Sequence, residues 1–358
     1  QMNGDGQAWL SPRSQQLPQD RIFEYYLRVD LKSDSSSPCG FVPEIKHSFP
    51  TISGDNGKFI ERVAQFCFPD ALSDEIIRKS QSYSFVVTDT EGQQRWGYCE
   101  RVLLNGDKQP PTCLCILSVY PCFSIFGMII KEVLVRITSV RAISDFLYEV
   151  LVVPLPDPGE RIEVTTVSWK EAGVIDNLVF TRPNEEDALY DYINFAPLLN
   201  LCEPEDILTL FSSLLSERRV VFTSDSLEAL TTTVNAALAL LRPLQWQYIF
   251  IPLLPANMIE FCSSPIPFVV GLLNSSLDAL RREPHESIVL LDIDNGEYLT
   301  DTPDENLIPP GPRQMLMSAL KEARSKLRKH KSLAAHHSRA LTDAFRSFFS
   351  ILLQNWDK

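Results

Sequence analysis

The sequence contains no Gly-x4-Gly-Lys-Ser/Thr, no His-Glu-x-x-His and no Gly-x-Ser-x-Gly. The local signatures of a phosphate-cradling loop, a helix-borne zinc hydrolase and a serine nucleophile elbow are therefore all missing. Ser53-Gly54-Asp55-Asn56-Gly57-Lys58 reads as a polar turn. Histidine is scarce: His47, His285, His330, His336 and His337. The last three sit in a basic tail, which suits a solvated helix face better than a metal site. No apolar stretch nears the ~20 residues that span a bilayer. Gln1 to Asp20 lacks a basic segment followed by an apolar one, so no secretory leader is expected. Positive charge is also short: 33 Lys and Arg face 46 Asp and Glu, a net charge of -13. That balance repels nucleic acid, and anionic lipid in bulk.

Apolar residues make up 44% and charged residues 22%, which predicts a packed interior rather than disorder. A chain of 358 residues suits two domains of ordinary size. The cysteines are Cys39, Cys67, Cys99, Cys113, Cys115, Cys122, Cys202 and Cys262, most of them inside apolar runs. So few in so long a chain do not form a disulfide framework. Cys113 and Cys115 share one strand face by the two-residue period, but no further zinc ligand lies close in sequence. Buried reduced thiols are the expectation, and with them a reducing, cytoplasmic setting.

Residues 1–20 read as a flexible lead-in. Phe23 to Leu31 alternates as a strand, and Ser33 to Gly40 is a loop. Ser82 to Thr88 and Gln94 to Leu104 form strands around a Thr90-Glu91-Gly92 turn. After the loop at Asn105-Gly106, Thr112 to Val119 is a third strand, apolar enough to be central. From Phe123 the period becomes helical: Phe126, Ile129, Ile130, Val133, Leu134 and Ile137, then Phe146, Leu147 and Val150. Strands followed by helices give an α+β module over 21–152. Val153 to Gly159, rich in proline, marks a boundary. Residues 153–194 read as an inter-lobe linker holding one strand, Arg161 to Val167.

A second core over 195–300 alternates helix and strand. Pro204-Glu205-Asp206 opens a helix with Leu208, Leu210, Phe211, Leu214 and Leu215 on its apolar face. Val220 to Thr223, Tyr248 to Pro252, Phe268 to Leu272 and Ser287 to Asp294 are its strands. A helix from Ser226 to Leu241 and a short one from Pro255 to Cys262 lie between them. This order predicts an α/β module with a mainly parallel sheet. Residues 301–358 turn helical and basic, with an apolar stripe of Phe345, Phe348, Phe349, Leu352 and Leu353 that needs a partner.

The ordered series Glu217-Arg218-Arg219-Val220-Val221-Phe222, Trp246-Gln247-Tyr248-Ile249-Phe250-Ile251-Pro252 and Ser263-Ser264-Pro265-Ile266-Pro267-Phe268-Val269-Val270-Gly271 resembles the central module of the DENN family. Upstream, Arg21 to Tyr26, Pro43-Glu44-Ile45, Ser48-Phe49-Pro50 and Gln65 to Pro69 match the family's order. So do Ser84 to Asp89, Arg95 to Cys99, Leu114 to Ser118 and Pro154 to Gly159. About 275 residues, Arg21 to Gly296, are covered, and the pieces look most like the connecdenn and neighbouring DENN subfamilies. The family's downstream helical segment normally runs longer than the one ending at Lys358.

The resemblance implies a longin-like first lobe and a nucleotide-binding-like α/β second lobe, without nucleotide binding by the chain itself. It implies a Rab-family small GTPase held between them, and release of its GDP by binding alone, with no covalent chemistry and no cofactor. Action in the cytoplasm, at endosomal or vesicle membranes, would follow. Aromatic and arginine residues near the lobe seam are the candidates for partner contact: Arg95, Trp96 and Tyr98 from the first lobe, and Arg218, Arg219, Trp246, Tyr248, Pro265, Pro267 and Phe268 from the second. Plainer roles stand beside these. Arg218 and Arg219 suit the end of a helix, paired with acids. Trp246 and Phe268 suit the core, Pro265 and Pro267 shape a loop, and Trp96 and Tyr98 suit packing on helices.

Three other readings are open to the residues. Ile288 to Gly296 resembles the Asp-x-Asp opening of magnesium-dependent phosphatases, with Asp292 and Asp294 as its carboxylates. Only a short stretch follows it, however, and a strand-ending turn explains the pair. A non-catalytic DENN-like scaffold in membrane traffic would use the same lobes. The basic residues of 321–339 suit contact with anionic membrane, or simply a solvated helix.

Overall fold

A computed structural model describes residues 18–354, apart from 38, 53–55, 71–78, 90, 105, 107–108, 170–174, 285–286, 303 and 305–306. Most of the lead-in, the Ser53-Gly54-Asp55 part of the polar turn, Thr90, Asn105 and His285 lie outside the described residues. The architecture is mixed α/β, with a β-rich first half, a second sheet that is mainly parallel, and helices at the end.

The first sheet holds β1 (Tyr25–Ser33), β2 (Phe41–Phe49), β3 (Gln81–Thr88), β4 (Gln94–Val102) and β5 (Thr112–Ser118), in the order β2-β1-β5-β4-β3. Every residue of β5 is buried, as an apolar strand in the middle of a sheet must be. The chain reaches β3 through α1 (Asn56–Cys67), which covers one face with Ile60, Val63 and Phe66. The other face packs against α2 (Phe123–Val135) and α3 (Val140–Leu151), whose Phe126, Ile129, Ile130, Phe146 and Val150 are fully or nearly fully buried. The Ser139 hydroxyl caps α3 by accepting from the Ala142 N–H at 3.2 Å,.

Past the proline-rich turn the structure departs from a simple linker. β6 (Arg161–Val167) pairs antiparallel with β7 (Ile175–Thr181). Val164 and Phe180 from this hairpin are buried in the same cluster as α2 and α3, so it packs on the first lobe. Two short helices, α4 (Ala188–Tyr192) and α5 (Ala196–Leu201), then lead into the second half.

There α6 (Pro204–Leu215), β8 (Arg219–Ser224), α7 (Leu227–Ala239), β9 (Ile249–Ile251), β10 (Phe268–Leu273), α8 (Leu277–Arg282), β11 (Val289–Asp292) and β12 (Glu297–Tyr298) follow in order. Strands β11, β8, β10 and β9 run parallel, and β12 closes one edge antiparallel. The Pro255 to Cys262 stretch is 3-10 rather than α-helical. Gly271 of β10 lets two segments touch: a Cβ there would lie 2.2 Å from the Pro252 carbonyl oxygen,.

Helices α9 (Pro310–His330) and α10 (Ala335–Leu353) pack on this second core. The unpartnered stripe finds its cover in α6: Phe345, Phe348 and Phe349 surround Phe211 with ring centroids 4.8, 5.3 and 6.0 Å away,. Leu352 and Leu353 remain exposed.

The two halves share one apolar core. Residues of α1, β3 and β5 cluster with residues of α6, α7 and β8. Helix α7 lies along β3, where the Ser84 N–H donates to the Thr231 hydroxyl at 3.4 Å and Asn235 Nδ2 donates to the Ser84 hydroxyl at 3.4 Å. The amide N–H of Ala256 donates to the Pro69 carbonyl at 3.2 Å across the same seam. Each lobe therefore buries part of its apolar surface only in the presence of the other.

Candidate functional site

The parallel sheet gathers residues far apart in sequence. Parallel strands start on one edge, and Arg219, Ile249 and Phe268 stand in register at the starts of β8, β9 and β10. The segments just before them, Glu217-Arg218, Trp246-Gln247-Tyr248 and Pro265-Ile266-Pro267, are thereby brought to a common end of the second lobe. A hydrogen bond ties two of them: the Tyr248 hydroxyl donates to Glu217 Oε2 at 2.8 Å. That bond pushes the Tyr248 phenol above its ordinary range.

The surface here is more apolar than an idle loop cluster requires. Tyr248 is 38% exposed, Ile266 47% and Leu244 51%, which fits a contact surface. Pro265 is exposed and Pro267 half-buried. Trp246 is half-buried, donates its indole N–H to the Ile249 carbonyl at 3.0 Å and meets Tyr248 edge-on at 5.5 Å. Phe268 departs from the expectation of partner contact: it is 0% exposed and packs with Val221, Val270 and Leu290 inside the second core. Its position at the first residue of a central strand buries it.

The arginines are partly committed. Arg218 forms a two-pronged ion pair with Asp304, at 2.9 and 2.8 Å, which raises its pKa further. The side chain is nonetheless 45% exposed, so it ends a helix and still presents a face. Arg219 enters β8 half-buried. Between α6 and Arg218, Glu217 adopts φ +51. The Arg218 N–H bonds to the Ser213 carbonyl and the Glu217 N–H to that of Leu214, the pattern of a helix end that favours glycine. Glu217→Gly is expected to stabilise the fold by about 1 kcal/mol, the backbone cost of a left-handed residue with a Cβ. An unchanged or lower urea midpoint would show that the glutamate's own contacts outweigh that cost.

In the first lobe the candidates split by strand face. Arg95 lies over the Phe59 ring of α1 and is bound by Glu24 at 2.6 Å and Asp89 at 2.5 Å. Burial would lower its pKa, but those carboxylates carry it upward. This arginine is structural in the free chain. Trp96 and Tyr98 point to the opposite face, where Trp96 packs on Tyr192 at 5.0 Å and Tyr98 on Phe123 at 5.3 Å. Arg242, just past α7, donates to the Tyr192 hydroxyl at 3.1 Å and so links this aromatic group to the segment before β9.

Tyr98 floors a groove of about 320 Å³ between the lobes. Ser82 and Ser84 complete the floor; Phe123 and Ser124 of α2 stand on one side, Glu228, Thr231 and Asn235 of α7 on the other. Asp191 lines it too, accepting from the Ser124 N–H at 3.3 Å, and burial raises its carboxyl pKa. The groove has room for a loop, not a folded domain. The lobes meet on a shared core, with this groove at their seam. Tyr192, Arg242, Leu244 and Ile266 join the site without having been singled out. Leu244 and Ile266 carried a usable signal, being apolar residues beside prolines in loops.

The rival carboxylates are occupied. Asp294 accepts from the Ser224 hydroxyl at 2.6 Å and the Asp225 N–H at 2.7 Å, while Asp292 accepts from the Asp294 N–H at 2.9 Å and Asn295 Nδ2 at 2.8 Å. This is a strand-ending turn. In the basic stretch, Lys321 pairs with Glu205, Arg324 with Glu203, and Arg339 with Glu186 and Asp187. No helix among the described residues is long and apolar enough to cross a membrane.

Family models match in two adjoining stretches: a uDENN domain over residues 43–102 and a DENN (AEX-3) domain over residues 109–296. The chain belongs to the DENN family. The DENN match begins just ahead of β5, the central strand of the first sheet, so that sheet draws on both matched stretches and on β1, which precedes them. The chain is similar to DENN domain-containing protein 2A of Mus musculus, 33% identical over 88% of this chain and 33% of the relative. It is also similar to DENN domain-containing protein 2C of Homo sapiens, 30% identical over 95% of this chain and 38% of the relative. DENN domain-containing protein 2D of Homo sapiens is 28% identical over 88% of this chain and 69% of its own length. The chain spans about a third or less of the first relatives, 33% of mouse protein 2A and 27% of mouse protein 2B.

Proposed function

We propose that the chain promotes GDP release from a Rab-family small GTPase by binding the nucleotide-free form more tightly than the loaded one. A nanomolar to picomolar nucleotide complex stores roughly 12 to 16 kcal/mol. An exchange factor offsets this only through its differential affinity for the empty state, with no bond made or broken. The family match running through both lobes carries this reading, because the candidate surface draws on both.

In the proposed complex the GTPase rests on the end of the second lobe around Arg218, Arg219, Trp246, Tyr248, Leu244 and Ile266. A segment freed from its nucleotide enters the groove over Tyr98. Trp96 supports that groove through Tyr192, and Pro265 and Pro267 hold the Ile266 loop outward. A specific interface of this kind buries on the order of 1,600 Å² or more, which the groove alone does not supply. The working division keeps residues 21–152 and 195–300 as the two lobes, with the β6–β7 hairpin placed with the first. Recruitment to endosomal or vesicle membranes would come through the GTPase, since much of the basic stretch is spent on ion pairs.

The test is binding of purified Rab proteins in two states, loaded with GDP and stripped by chelation of magnesium. Tighter binding of a stripped Rab, lost on adding GDP or GTP, is the expected result. Equal affinity for both states would replace exchange by a scaffold role, because equal binding shifts no equilibrium.

A further inference from the structure

Beneath the first sheet, on the face covered by α1, the fold brings cysteine thiols from three separate elements to one point. Cys67 ends α1, Cys99 lies in β4, and Cys113 and Cys115 lie in β5. Register explains the meeting. Cys99 pairs directly with Cys115, and Cys113 stands opposite Arg101, so all three strand thiols share a face. The α1 helix crosses that face and ends with Cys67 above it.

The sulfurs of Cys67, Cys99 and Cys113 all lie within 4.8 Å of one another. Cys67 Sγ is 3.9 Å from Cys99 Sγ. Cys115, paired with Cys99 across the β4–β5 ladder, presents its side chain to the same face but stands outside that 4.8 Å group,. All four residues are 0% exposed. A zinc ion with sulfur ligands at about 2.3 Å in tetrahedral array sets its sulfurs roughly 3.8 Å apart. The Cys67–Cys99 spacing already meets that figure, and small rotations about χ1 would bring in the others.

We propose that Cys67, Cys99, Cys113 and Cys115 bind one zinc ion, which fastens α1 to the first sheet. Four thiolates around one Zn²⁺ leave a charge of minus two, and buried donors stand beside it, with the Arg101 charge shared with Asp70. The Arg101 guanidinium, fully buried, lies against the cluster and donates to the Cys67 carbonyl at 3.1 and 3.3 Å. The Tyr83 hydroxyl lies 3.5 Å from Cys113 Sγ and accepts from Arg101 Nε at 3.2 Å. Such outer groups orient ligands and stabilise their charge. A disulfide would need only two sulfurs, and an apolar core would need none converging on a shared point. Binding replaces thiol protons by the metal and releases them to water, so no oxidant or reductant takes part.

The test uses the full chain, expressed with added zinc and purified with a phosphine reductant and no chelator. Elemental analysis is expected to give about one zinc per chain. Exchange for Co²⁺ is expected to give the intense visible and near-ultraviolet bands of tetrahedral thiolate coordination. Cys99→Ser and Cys115→Ser, made separately, should each lower zinc occupancy at least tenfold under competition with a chromogenic chelator. Cys262→Ser, a buried cysteine in the second lobe, should leave occupancy unchanged. If the serine variants fail to fold, the wild-type metal content and cobalt spectrum still decide. The proposal is overturned by a wild-type chain that folds without metal under zinc-replete, reducing conditions. Zinc that both serine variants retain, or a Cys67–Cys99 disulfide in the chain purified without reductant, would overturn it equally.

Discussion

Asp70→Ala is expected to lower the stability of the folded chain by about 3–5 kcal/mol, the usual cost of stranding one member of a buried ion pair. Arg101 and Asp70 are 0% and 1% exposed and joined at 2.6 and 3.0 Å. The guanidinium also lies over the Phe68 ring at 4.5 Å and reaches the Cys67 carbonyl and Tyr83. Removing the carboxylate leaves a cation inside the first lobe without the acid it is paired with. Urea unfolding of the single variants and of Asp70→Leu with Arg101→Met provides the check. The double variant should lose much less than the two single losses added together. A single-variant loss below about 1 kcal/mol would show that the pair is wetter and weaker than its burial implies.

Exchange activity is expected to fall by roughly tenfold to a hundredfold when Tyr248 and Ile266 are both cut to alanine. Both side chains project from the shared end of the second lobe and are 38% and 47% exposed. Neither fills the core, and Tyr248 is held only by its hydrogen bond to the exposed Glu217 and an edge-on contact with Trp246. Unfolding temperature should therefore stay near that of the parent chain while GDP release slows. Phe268→Ala supplies the contrast, since a wholly buried aromatic costs about 3–5 kcal/mol of stability when truncated. If the double variant exchanges at the parental rate, the contact surface lies elsewhere. The groove around Tyr98 then becomes the place to look.

Much of this arrangement can be read from local pattern, because local pattern decides which segments are buried. Thr112 to Ser118 is apolar without interruption and becomes the central β5. Leu208, Phe211 and Leu214 repeat at helical spacing and face inward. The three motifs at Glu217, Trp246 and Ser263 each precede a short apolar strand, and parallel pairing alone puts them together. What stays hidden depends on register and on contacts across long stretches of chain. β7 looks like part of a linker until β6 pairs with it. The helical spacing in α1 is masked by the apolar run at Phe66-Cys67-Phe68. Cys67 meets Cys99, and Asp70 meets Arg101, only because α1 crosses the sheet at one particular level. The closed seam is hidden for the same reason: Ser84, Thr231 and Asn235 are small polar residues with no pattern to pair them.

The most direct measurement of the central claim is release of fluorescent GDP from a panel of purified Rab proteins, with excess GTP and catalytic amounts of the chain. Acceleration confined to one or a few Rabs, and reduced by Tyr248→Ala with Ile266→Ala, is the result expected. Release at the intrinsic rate from every Rab tested, with the folded chain binding none of them in the nucleotide-free state, would contradict the account.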